Sequence, residues 1–192
     1  MSETERVALA ATPLSKLLRT IEPAHLAAST PCAEFDVRAL LNHLLYWGPS
    51  LVGAARKEAV PPPAPTESGI DLTAGDWPAA LDTHLDELAT AWRNPAAWQG
   101  TTHMGGPTEL PAALVGGMVI GELVVHGWDL ARALDTTPTW DDDLLRYVHD
   151  ETAATADQGR QLGIYGPEVP VPPTAPLLDR ILGITGRDPA WS

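Results

Sequence analysis

Glu122, His126 and Asp129 lie close together in the segment GELVVHGWDLARAL. Glu122 and His126 are four residues apart and Asp129 follows three later, so on a helix all three share one face. Met118, Val119, Val125 and Leu130 surround them with apolar groups. A carboxylate in an apolar stripe is costly to bury unless it is paired or ligated. A divalent metal ion would supply the partner, since carboxylate oxygen and imidazole nitrogen both bind such ions at roughly 2 Å. The spacing E-x-x-x-H is also met by a helix-edge glutamate followed by a packed core histidine, so alone it leaves both readings open.

In a helical core, further ligands come from facing helices. His43, beside Leu40 and Trp47 on the apolar border of another helix, is the natural candidate, although its type suits a packed histidine equally. Asp129 could receive the free ring N–H of a metal-bound histidine and fix its orientation; it could instead pair with Arg132 or cap the local surface. His103, in a Gly-rich connection, is a candidate general base or a solvated loop histidine. Cys32 precedes a helix N-terminus, which can lower a thiol pKa; packing in the turn is the simpler reading. Trp47, Trp98 and Trp128 could line a substrate cavity or belong to the core. Arg38 and Arg56 could meet an anionic substrate or be solvated. His25, His84 and His149 fall in no pattern.

These residues need helices to hold them. Val7, Leu14, Leu17, Leu18 and Ile21 recur at helical spacing and predict a first helix over Glu3 to Ile21, bent or split at Pro13. Asp36 is the expected N-cap of a second helix, VRALLNHLLYWGPSLVGAARKE, with Phe35 and Leu40 at staple spacing and a bend at Pro49. The linker VPPPAPTESG cannot continue it. A third helix is expected over Asp76 to Arg93 with the stripe Leu81, Leu85, Leu88 and Trp92. NPAAWQGTTHMGGPTEL is an irregular connection, able to line a site or form a short hairpin. Pro111 suits position N1 of a fourth helix, PAALVGGMVIGELVVHGWDLARALD, apolar nearly all round and therefore central. A fifth helix begins near Thr139 or Asp141, where Asp141–Asp143 complement the helix dipole, and continues through LLRYVHDETAATADQGR. The last, PLLDRILGIT, stops at Gly186. With no credible strand pair and no repeat, the expectation is an all-α fold: one domain over residues 1–192, with a four-helix core and one or two added helices.

Composition narrows the function. Twelve basic against 25 acidic residues give a formal net charge of −13, which argues against nucleic acid and against an anionic membrane surface as partner. Cys32 is the only cysteine, so no intrachain disulfide forms. The N-terminus MSETERVALA lacks the pattern of a signal peptide, and the apolar stretch Leu114–Val125 is too short to span a bilayer; a cytoplasmic protein is the expectation. The apolarity of the fourth helix fits a homodimer interface as well as burial within the chain.

Three motifs together resemble a known family. TPCAEFDVRALLNHL is similar to the TPC-x-W-x-V-x-x-L-x-x-H segment of the DinB-like superfamily, in the branch typified by the N-terminal domain of mycothiol-dependent maleylpyruvate isomerase. GELVVHGWDLARAL is similar to that branch's E-x-x-x-H-x-x-D-L signature. YGPEVPVPPTAPLLDRILGITGRDPAW resembles a subgroup of small proteins ending in LGRDPxW. The resemblance implies a DinB-like four-helix bundle and a metal held by His43, Glu122 and His126. Phe35 stands where the family usually has Trp, a conservative packing change. The extra C-terminal domain of the isomerase has no counterpart, so the likeness does not extend to that enzyme's substrate and reaction.

Three protein ligands leave a coordination position open, as catalytic sites do. A metal there can lower the pKa of a bound thiol or water, or polarise a carbonyl. The resemblance implies that the thiol is a low-molecular-weight cofactor such as mycothiol, conjugated to a small-molecule electrophile or used for isomerisation. The alternatives are a metal-dependent hydrolase or specialised biosynthetic enzyme, and a non-catalytic metal or small-molecule binder. Two nitrogens and one carboxylate suit zinc; nickel, iron and manganese also occupy such sites.

Overall fold

A computed structural model describes residues 2–192. Six α-helices carry it: α1 (Arg6–Leu18), α2 (Val37–Arg56), α3 (Trp77–Trp92), α4 (Ala112–Ala133), α5 (Asp142–Gln161) and α6 (Leu177–Ile184). Helix α1 packs on α3 and α4, and α2 packs on the same two, so four helices surround one core; α5 covers α4 and carries α6. The shared interior holds Leu14, Leu40, Leu41, Leu81 and Ile120, each at most 1% exposed. Burying one such side chain contributes about 1.5–3 kcal/mol.

The expected helix starts are present with local reasons. Asp36 caps α2, its Oδ1 accepting the Ala39 N–H at 2.8 Å. Asp76 caps α3 through the Ala79 N–H. Pro13 and Pro49 lie inside continuous helices, so Pro13 does not split the first helix in two. Each proline removes one rung of the ladder, and packing of the buried faces keeps the rest. Helix α2 stops two residues short of the expected Glu58, because Lys57 turns left-handed at φ 63°. The lysine Nζ then donates to the carbonyls of Ala97 and Gln99 at 2.9 and 2.8 Å. Pro111 is the N-cap residue of α4 rather than its first helical residue.

The expectation of no strand pair is overturned, and of the two alternatives for the connection before α4 the short hairpin is the one that forms. The connection before α4 contains an antiparallel pair, β1 (Thr101–His103) with β2 (Glu109–Pro111). Three-residue strands are too short to show a period in sequence. The pair is held because Gly105 adopts φ 73° in its turn and the Thr102 hydroxyl donates to Ala54 O on α2 at 2.6 Å.

Helix α4 is long and apolar enough by composition to cross a membrane, but 72% of that window is buried inside the fold. Gly116 on α4 explains part of the close packing: any side chain there would strike the rings of Trp98 and Trp92. Trp98, with its indole N–H on Trp92 O at 2.8 Å, and Trp128, at 5% exposure, are core residues rather than cavity walls.

Candidate functional site

Helix α4 presents Glu122 and His126 one turn apart, and α2 brings His43 to face them. His43 Nε2 lies 2.7 Å from Glu122 Oε1, and His126 Nε2 lies 3.5 Å from the same oxygen. One donor atom from each of the three residues falls within 4.8 Å of the others. The two imidazole rings stand 5.2 Å apart at 69°. Phe35 closes one side, its ring 5.1 Å from His43 and 6.4 Å from His126.

The other ring nitrogens are engaged by carboxylates. His43 Nδ1 donates to Glu67, with 3.2 and 3.1 Å to its two oxygens. His126 Nδ1 donates to Asp129 Oδ2 at 2.9 Å. A proton held on Nδ1 leaves Nε2 with its lone pair free to ligate, and a carboxylate partner also raises its basicity. The donor set therefore fits a divalent ion: two imidazole nitrogens fixed in the ligating tautomer, and one carboxylate oxygen between them.

Without an ion, a proton fills the same gap. Burial pulls His43 down, but hydrogen bonds to Glu122 and Glu67 outweigh it and raise its pKa to about 10. Burial pushes Glu122 up, but the charges of His126 and His43, with the His43 hydrogen bond, bring it down to about 2. The pair is thus an imidazolium–carboxylate bridge that an ion would replace.

Asp129 is fully buried, and its counter-charge comes from beyond α6. Arg187 donates through Nε to Oδ1 at 3.4 Å and through Nη2 to Oδ2 at 3.1 Å. Arg132, the sequence alternative for that pairing, donates to Trp191 O instead. Cys32 has its sulfur within 4.8 Å of donor atoms on His126 and Asp129. Burial pushes that thiol up, against the opposing pull of Arg187, so its place before α2 does not activate it. His103 lies on β1 outside the convergent group, its Nδ1 buried with no protein partner among the described residues. Arg38 donates to Thr73 at 3.0 Å, and Arg56 sits 3.9 Å from Glu87; both tie surface elements together. His25 accepts the Glu22 N–H, and His149 meets Arg180.

Two residues of this arrangement escaped the sequence reading. Glu67 lies at the end of the Pro-rich linker with no pattern to mark it. Arg187 carried one indirect signal: a buried Asp129 demands a cation, and GRDPAW offers one.

Two spaces adjoin the site. An open cleft of about 700 Å³ runs between Tyr46, Trp47 and the Pro61–Pro65 segment to Glu67. A small cavity of about 30 Å³ lies between α2, α3 and α4, bordered by Trp47, His84, several leucines and Glu122.

The profile described as the mycothiol maleylpyruvate isomerase N-terminal domain matches residues 7–131. The chain belongs to this family. His43, Glu67, Glu122, His126 and Asp129 all fall inside the matched region, and Arg187 outside it. Among curated proteins, an uncharacterized protein of Mycobacterium tuberculosis, recorded for two strains, is 28% identical over 176 residues, covering 89% of this chain and 90% of the relative. Among solved structures, the mycothiol-dependent maleylpyruvate isomerase is similar with a TM-score of 0.60 at 19% identity, over 83% of this chain and 73% of that one. A histidine-to-alanine mutant of that enzyme gives a TM-score of 0.62 at 18% identity over the same shares. At such identities the likeness establishes the fold, all-α and DinB-like.

Proposed function

We propose that this chain is a single-domain enzyme that holds a divalent metal ion on His43, Glu122 and His126 and uses a low-molecular-weight thiol such as mycothiol. The reaction is transfer of the sulfur to a small electrophile, or thiol-assisted isomerisation of one. One observation carries the reading: two histidines, each with Nδ1 held by a carboxylate, aim Nε2 at the same oxygen of Glu122. Family membership and the shared fold support the choice of thiol chemistry, since the structural relatives are named as mycothiol-dependent isomerases.

Zinc suits this donor set best. Bound there, the ion would supply a Lewis acid that keeps a coordinated thiol in its thiolate form at neutral pH. The chain's own residues do the rest. Glu67 and Asp129 hold the two histidines in the ligating tautomer, and Arg187 pairs with Asp129 and fixes its carboxylate in place. Phe35 keeps water from one side of the rings. The cleft along Trp47 ends on Glu67, the partner of His43, and is the space open to small-molecule substrates; the site calls for neither nucleic acid nor membrane.

The test is direct. Purified protein should contain or take up about one equivalent of zinc per chain, and the loaded protein should consume mycothiol with some member of a panel of electrophiles. Protein that binds zinc but consumes no thiol across the panel would overturn the thiol reading and leave a metal binder.

A further inference from the structure

Trp47 borders both spaces next to the site. On its outer side the open cleft is walled by Tyr46, Trp47 and the proline rings of Pro61–Pro65, and ends on Glu67. On its inner side the smaller cavity is lined by leucines and Val119 and reaches Glu122. Tyr46 has its hydroxyl committed to Ala64 O at 2.7 Å, so this wall is largely apolar to a ligand.

Charge points the same way. Among the described residues no lysine or arginine lines either space. His84, bordering the inner cavity, has its pKa lowered by burial and is neutral at neutral pH. Arg187 is committed to Asp129, and Lys57 to the carbonyls of Ala97 and Gln99. A divalent ion, the Glu122 carboxylate and one thiolate together sum to no net charge, and Glu67 places a further negative charge beside them. The whole chain carries −13, so its field also repels anions. A carboxylate-bearing substrate would find no lysine or arginine there and only an ion already balanced by Glu122 and the thiolate, with Glu67 opposing it, whereas an apolar molecule gains by leaving water against the indole and proline rings.

We infer that the electrophile taken by this site is an uncharged, apolar molecule whose hydrocarbon part packs on Trp47, and not a carboxylate. The inference rests on the thiol-enzyme reading and narrows its substrate class. It separates this chain from its structural relatives, whose named substrate, maleylpyruvate, carries two carboxylates.

A matched pair of electron-poor alkenes tests it: dimethyl fumarate and its anionic half-ester, monomethyl fumarate. In both, sulfur bonds to one alkene carbon and the neighbouring carbon takes the proton. Rates with zinc-loaded protein and mycothiol are divided by the uncatalysed rates. The expected acceleration is at least about tenfold greater for the diester, and Thr66→Lys, on the exposed cleft wall, should narrow that ratio about threefold or more by adding a cation. A binding readout accompanies the rates. Unreactive dimethyl succinate should shift one indole N–H resonance, the one lost in Trp47→Phe, while succinate at the same concentration should not. Equal acceleration of both alkenes, or a Trp47 shift with succinate as large as with its diester, would overturn the inference. If neither alkene consumes thiol, the thiol reading falls, and the indole shifts still decide the binding class.

Discussion

The two histidines of the site are held in the same manner by very different surroundings. His126 is anchored within its own helix: Asp129, one turn on, has no exposure, and Arg187 locks it from behind. His43 is anchored by Glu67, whose side chain is 26% exposed and which comes from the linker after α2. One anchor is part of the core, and the other is attached to its surface. Removing the first disturbs fold and site together, whereas removing the second should disturb the site alone.

The largest effect is expected from His126→Ala. Losing one of three ligands from a zinc site should cost on the order of 3 kcal/mol or more of metal affinity, so dialysed protein should retain no zinc by elemental analysis. An unchanged zinc content would break the assignment of α4 as the metal-bearing helix.

Asp129→Ala comes next and tests the buried anchor. It leaves Arg187 as an uncompensated buried cation, at about 3–5 kcal/mol of stability, read as a fall of roughly 10 °C in Tm. Zinc affinity in a chelator competition should drop about 10- to 100-fold. A normal Tm would show that the anchor is not part of the core.

Glu67→Gln tests the exposed anchor. The amide can still accept from His43 Nδ1 but carries no charge, so zinc affinity should fall about tenfold while Tm of the metal-free protein moves by no more than about 2 °C. A loss of stability as large as that of Asp129→Ala would erase the distinction between the two halves.

The smallest effect is one of pH on metal-free protein. Glu122 drops from 4.5 to about 2 on folding, so its stabilisation is present above pH 4.5 and is lost as pH falls through 2. His43 rises from 6.5 to about 10, so its stabilisation is full below pH 6.5 and is lost as pH rises through 10. The His43–Glu122 bridge should therefore support the metal-free fold best between pH 4.5 and 6.5. Zinc affinity should run the other way and climb with pH up to about 10, where folded His43 gives up the competing proton. Thermal melts and zinc titrations over that range check both signs; a zinc affinity independent of pH would show that ion and proton do not share the gap.

Much of the helical framework was legible because amphipathic periodicity and capping are local. The Asp36 cap and the stripe of α3 are read within a few residues. The hairpin at Thr101–Pro111 stood only as one of two alternatives for its connection, since three residues per strand carry no period and its support comes from Ala54 on α2.

The candidate site divides along the same line. Glu122, His126 and Asp129 are set on one face by helix geometry alone, because their spacing is shorter than two turns. The sequence also shows that a carboxylate among apolar neighbours needs a partner. Which partners it has was decided only by tertiary packing: His43 lies 79 positions from Glu122, Glu67 lies 24 from His43, and Arg187 lies 58 from Asp129. Side-chain pairings over such separations follow from how helices stack and where loops return, and no local spacing encodes them.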